Sequence, residues 1–122
     1  VKISSISAVT LATTDMARAV RFYEALGFEK LYGGEASAFT SFRVGAGYLN
    51  LTAGDGPRPL RGWARIIFYV ADVDAMHAHV LAQGLTPEAP PRDAEWGERY
   101  FHVADPDGYS LSFARPLSGG GG

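Results

Sequence analysis

The stretch Thr14-Asp15-Met16-Ala17-Arg18-Ala19-Val20-Arg21-Phe22-Tyr23-Glu24-Ala25-Leu26-Gly27-Phe28 decides the fold. Met16, Ala19, Val20, Tyr23 and Leu26 recur at helical spacing and make one apolar face. Asp15 precedes them, where a carboxylate can accept from the free amides of a first turn. Gly27 follows them, where a left-handed residue closes a helix and Phe28 can pack back on it. Before this helix, Val9 and Leu11 alternate with smaller residues, which predicts a strand over residues 3–12. After it, strands are expected over 28–33, 36–44 and 48–53, the last two joined by Gly45-Ala46-Gly47. Further on the order repeats. A strand is expected over 63–71, then a helix capped by Asp72 and ended by Gly84, then a short Pro-limited segment at 86–90. Strands over 96–104 and 109–115 flank Asp105-Pro106-Asp107-Gly108, whose Asp, Pro and Gly sit where a type I turn wants them. Asp15 and Gly27 lie twelve residues apart, as do Asp72 and Gly84, at an offset of 57. We read this as a duplicated βαβββ unit: module one 1–53, a linker at 54–62, module two 63–116. Residues 117–122 are read as a flexible or appended tail.

Composition bounds what such a chain does. It has 122 residues, 47% apolar and 20% charged, with a net charge of −2. That is one globular domain's worth of chain, with no basic surface expected for nucleic acid. No apolar run reaches the ~18 residues of a membrane span, and no charged leader opens the chain. Cysteine is absent, which removes thiolate chemistry and Cys-based metal sites and fits a cytoplasmic protein. The histidines are His77, His79 and His102. The first two lie two apart on a helix, so they do not share a face and cannot chelate one metal together.

Asp15 to Phe28, Asp105-Pro106-Asp107-Gly108-Tyr109 and Glu95-Trp96-Gly97-Glu98-Arg99 together resemble the vicinal oxygen chelate superfamily of glyoxalases, bleomycin resistance proteins and extradiol dioxygenases. The resemblance covers residues 3–116. It implies an α+β fold in which two βαβββ modules form a curled mixed sheet around a cleft, with the helices on the outer face. Metal-dependent members carry four ligands, one on the first and one on the last strand of each module. By position these fall here on Ala8, Asn50, Arg65 and Ser112. A methyl, an amide, a guanidinium and a hydroxyl make a poor set for a transition metal. The expectation is therefore no metal and no cofactor, and kinship with the metal-free, bleomycin-resistance-like members. Such members usually dimerise, so a homodimer is expected too.

Strand parity then selects candidate ligand-binding residues. If Asn50 faces the cleft, so do Tyr48 and Thr52, while Leu49 and Leu51 face the helices. Arg65 takes Trp63, Ile67 and Tyr69 with it, and Ser112 takes Ser110. Tyr48, Trp63, Tyr69, Trp96 and Tyr100 make a candidate stacking box for a planar ligand; any one of them is also read as core or interface packing, but not all five. Arg65 either meets an anionic or carbonyl group of a ligand, or closes a salt bridge, for example to Glu98. His102 is read as a pocket acid–base group or as a structural histidine. The partner expected is a small molecule, an antibiotic or a planar metabolite, that the protein sequesters. The alternative is a metal-independent lyase, isomerase or hydrolase using Arg65 with His102 or a tyrosine.

Overall fold

Asp15 does cap a helix. Its Oδ1 accepts from the Arg18 amide at 3.0 Å, and α1 runs Met16–Leu26. Gly27 has φ +106°, its amide reaches Glu24 O at 3.0 Å, and the Phe28 amide reaches Tyr23 O at 3.0 Å. These two bonds satisfy carbonyls that the last turn leaves open. The computed structural model describes residues 1–54 and 65–117, in two compact units, Val1–Arg58 and Pro59–Gly122.

In the first unit, β1 (Ala8–Thr13), β2 (Glu29–Tyr32), β3 (Phe39–Val44) and β4 (Gly47–Ala53) form a four-stranded sheet in the order β1-β4-β3-β2. The β1–β4 pair is parallel and the other two are antiparallel. The first strand starts at Ala8, later than the expected residue 3. Ladder partners begin only at Ala8↔Tyr48, and residues 1–7 are exposed. The expected hairpin forms through Gly45 at φ +57°, with Val44 opposite Gly47. Leu49 and Leu51 are 1% and 0% exposed, whereas Tyr48 on the opposite face is 38% exposed. The buried face joins α1 through Tyr23, whose ring meets Phe28 at 5.4 Å and Phe42 at 5.8 Å.

The second unit repeats the plan. Here β5 (Arg65–Tyr69), α2 (Val73–Ala82), β6 (Arg92–Asp93), β7 (Glu98–Ala104) and β8 (Ser110–Pro116) give the order β5-β8-β7-β6. Asp72 Oδ1 accepts from the Ala75 amide at 3.0 Å and starts α2. Past Gln83, Gly84 supplies the left-handed residue, at φ +79°. Asp105 is buried, and its Oδ1 accepts from the amides of Asp107 and Tyr109, both at 2.9 Å, which locks the β7–β8 turn. The segment expected at 86–90 is not a strand. Pro87 and Pro90 have no N–H to give a ladder, and pairing begins only beyond Pro91, at Arg92. Trp63, most of the linker 54–62 and residues 118–122 of the tail lie outside the described residues. Among the described residues, no helix is long and apolar enough to cross a membrane.

Candidate functional site

Ladder partners share a face, so register tells which side chains meet. In the second unit Arg65 lies opposite Ser110, Ile67 opposite Ser112 and Tyr69 opposite Ala114. Across β8, His102 lies opposite Ser112 and Tyr100 opposite both Ala114 and Arg92. Arg65, Tyr69, Tyr100, His102, Ser110 and Ser112 therefore share one face of one sheet. The alternate residues Phe68, Phe101, Val103, Leu111 and Phe113 are buried on the α2 side. On the open face β8 carries only small side chains from Ser110 to Ala114, with Ser112 and Ala114 at 3% and 1% exposure. Larger ones from β5 and β7 stand on both sides, which makes a trough with β8 as its floor. Ser112 belongs to that floor.

Hydrogen bonds close the trough at each end. Arg65 Nε donates to Ser110 Oγ at 3.0 Å. The bridge from Arg65 to Glu98 raised by the sequence does not form. Glu98 instead accepts from the Tyr69 phenol, and from Trp96 Nε1 at 3.1 Å. That bond, with the nearby negative charge, holds the Tyr69 phenol above its ordinary pKa, so it stays a donor.

The aromatic box resolves into a ladder of three rings. Trp96 and Tyr100 lie 5.5 Å apart at 30°, and Tyr100 and His102 lie 4.9 Å apart at 42°. Trp96 and Tyr69 remain largely exposed, so much of each ring is open to solvent. Tyr48 and Asn50 sit on the open face of the first unit. There Arg43 lies over the Tyr48 ring at 5.7 Å, and Asn50 Nδ2 donates to Thr10 Oγ1 at 3.3 Å. His77 packs edge-on against Phe101 at 5.1 Å, on the helix side of the sheet.

His102 is partly buried. Its Nδ1 is buried and has no hydrogen-bond partner. Desolvation lowers its pKa, Arg65 and Arg92 lower it further, and Glu88 opposes them. The net effect favours the neutral ring. Arg92 escaped the reading of the sequence. Its Nε donates to Tyr100 Oη at 2.6 Å, and its guanidinium lies 5.1 Å from the centre of that ring. The signal was the turn at 94–97, where Gly97 has φ +92° and its amide reaches Ala94 O at 3.0 Å. Reading that turn as a hairpin places Arg92 opposite Tyr100.

The four positions singled out from the sequence as candidate metal sites do not make a donor set in either unit. Ala8 and Asn50 offer a methyl and an amide whose nitrogen is turned to Thr10. Arg65 and Ser112 offer a cation and a buried hydroxyl. Among the described residues, no three His, Asp or Glu side chains group where a metal could be held.

The family model of the Glyoxalase/Bleomycin resistance protein/Dioxygenase superfamily matches residues 5–113. The chain belongs to this superfamily. No curated protein matches it. Among solved structures of similar fold is TioX from Micromonospora sp. ML1, at 28% identity and a TM-score of 0.75, covering 93% of this chain and 100% of that one. Another is a bleomycin-binding protein complexed with bleomycin, at 22% identity and a TM-score of 0.74, covering 93% and 98%. A third is lactoylglutathione lyase from Agrobacterium tumefaciens, at 22% identity and a TM-score of 0.74, covering 92% and 93%. The superfamily thus spans binders and enzymes on one scaffold, and the chemistry of this chain rests on its own residues.

Proposed function

We propose that this protein is a metal-free small-molecule-binding protein of the glyoxalase/bleomycin resistance type, which sequesters a planar metabolite or antibiotic. The observation that carries the reading is a contrast. The positions where metal-dependent relatives hold their ion carry a methyl, an amide, a guanidinium and a buried hydroxyl, while the open face of the second unit presents stacked rings and fixed polar groups. Aromatic walls with a few oriented hydrogen-bonding groups suit a flat organic ligand. Trp96 and Tyr69 supply ring faces, Glu98 and Arg65 supply oriented polar atoms, and Ser110 and Ser112 line the floor. The structural similarity to a protein that holds bleomycin fits this reading. So does a working unit of residues 1–116 that acts as a homodimer in the cytoplasm, since the chain lacks cysteine and leaves Tyr32, Ile67 and Trp96 exposed.

Two measurements test the reading. Metal analysis of protein purified without chelator is expected to find well below one transition-metal ion per chain; a stoichiometric ion lost on Asn50→Ala refutes it. A thermal-shift screen with bleomycin and planar aromatic drugs is expected to give at least one stabilising compound that loses its effect on Trp96→Ala. A second reading rests on the His102 ring with its unpartnered Nδ1, a group able to move a proton. It is a metal-independent enzyme in which Arg65 polarises a carbonyl and His102 or a tyrosine transfers the proton. Turnover of a small carbonyl compound, abolished by Arg65→Ala, favours that reading over the first.

A further inference from the structure

Beside the trough, at the β6 edge of the sheet, lies an open pocket of ≈ 180 Å³ lined chiefly by Glu88, Pro90, Arg92, Tyr100 and His102. We propose that this pocket takes the carboxylate of a small organic acid, with Arg92 and His102 as its two anchoring groups. The proposal rests on the small-molecule reading above and names the ligand chemistry at one place on that face.

The first support is the state of Arg92. Its Nε is held by Tyr100 Oη, and its Cζ lies 5.1 Å from the centre of the same ring. Among the described residues, no carboxylate pairs with it. A guanidinium anchored along one edge keeps its remaining N–H groups in a rigid fork, which matches a carboxylate in bidentate fashion. The second support is the Nδ1 of His102. Buried polar atoms nearly always find a partner, so the buried, unpartnered nitrogen of a histidine that lines the pocket is an unmet hydrogen bond. In the tautomer with the proton on Nδ1 it donates to an anion.

The third support is the local charge. Around His102 stand Arg65 from β5, Arg92 from β6, the Tyr100 phenol from its own strand, and Glu88 from the segment before β6. Two cations face one carboxylate, and Glu88 is exposed to solvent. A bound carboxylate offsets the surplus and accepts from both anchors. A neutral amide cannot pair with the fork as an ion, and an ammonium is repelled by Arg92. An anion beside His102 also favours its protonated form, so binding strengthens as pH falls through the histidine's titration.

The experiment uses benzoate, its neutral isostere benzamide, and benzylammonium on the full chain, read by titration with histidine-resolved NMR. Benzoate is expected to bind at least tenfold more tightly than either other probe and to shift the His102 ring signals. Its affinity is expected to rise severalfold from pH 8 to pH 6. Arg92→Gln is expected to reduce benzoate affinity at least tenfold, and Arg92→Lys to fall between it and the native chain. His102→Gln is expected to flatten the pH dependence. Each variant is checked for an unchanged circular dichroism spectrum, and Arg92→Lys covers the case in which Arg92→Gln fails to fold. No binding of benzoate, equal binding of benzamide, or affinity that rises with pH overturns the proposal. If a neutral planar compound from the drug screen binds while benzoate does not, the carboxylate site fails and the small-molecule reading stands. If neither the screen nor benzoate gives binding, both fail.

Discussion

Arg99 on β7 grips Asp74 on α2 side-on, with Nη2 at 2.8 Å from Oδ1 and Nε at 3.1 Å from Oδ2, while its Nη1 reaches Asp93 Oδ1 at 3.0 Å. One guanidinium thereby ties the helix to the back of the sheet and fastens β6 to β7. The Asp74 carboxyl is held below its ordinary range, chiefly by the bond to Arg99. A depressed carboxylate pKa stabilises the fold above the unfolded value of about 3.9 and loses that effect as pH falls below it. Asp74→Asn is thus expected to lower the melting temperature slightly at pH 7, because the pair is largely open to solvent, and the gap from the native chain should narrow at pH 3. Thermal unfolding at the two pH values checks this.

Alternation along β4 makes a sharper prediction. Leu49 and Tyr48 are neighbours in sequence, yet one is buried against α1 and the other opens onto the far face. Leu49→Ala is expected to cost about 2–5 kcal/mol, because it leaves a cavity in a packed core. Tyr48→Ala is expected to cost less than about 1 kcal/mol, since it leaves none. Urea unfolding of the two variants separates them, and equal losses would mean that the face assignment is wrong.

The glycines that follow α1 differ in what surrounds them. A Cβ on Gly33 (φ +80°) would stand 2.1 Å from the Phe39 carbonyl oxygen, whereas a Cβ on Gly27 (φ +106°) meets nothing within 4 Å. Gly27→Ala carries only the left-handed backbone strain, about 1–2 kcal/mol. Gly33→Ala adds a clash that backbone movement alone relieves. It should unfold at clearly lower urea than Gly27→Ala, and the reverse order would refute the close packing of β3 at that point.

The β7–β8 turn depends on one buried carboxylate. Asp105→Ala removes the acceptor for two amides, a loss of about 1–3 kcal/mol for each donor left buried without a partner. Asp105→Asn keeps an oxygen in place and should cost less. Comparing the two by chemical denaturation tests whether the oxygen, rather than the charge, holds the turn.

Much of this architecture was legible because it is local. Asp15 and Asp72 cap where a side-chain acceptor precedes an apolar period, and Gly45 turns where a hairpin needs positive φ. The alternation of Leu49 and Leu51 with Tyr48 and Asn50 gave the correct faces for the same reason. What stayed hidden depends on partners distant in sequence. Residues 3–7 have a strand-like composition but no ladder opposite them. The strand expected at 86–90 moved to Arg92–Asp93 because prolines cannot pair there. Glu98 was raised as a partner for Arg65, but the Tyr69 phenol, 29 residues away, holds it together with the neighbouring Trp96 indole. Arg92 went unnoticed because its importance comes from lying opposite Tyr100 across a tight turn.

The small side chains of β8 have a consequence for how the protein can change over time. Ser110, Ser112 and Ala114 set the depth between the β5 and β7 walls without contributing a ring or a charge to it. One added methylene at Ala114 would raise that base beneath Tyr69 and Tyr100 while every polar group kept its identity. For a trough that binds as proposed, selectivity can therefore drift through a position that no inventory of contacts would flag, and chains that share all the polar groups can still accept different molecules.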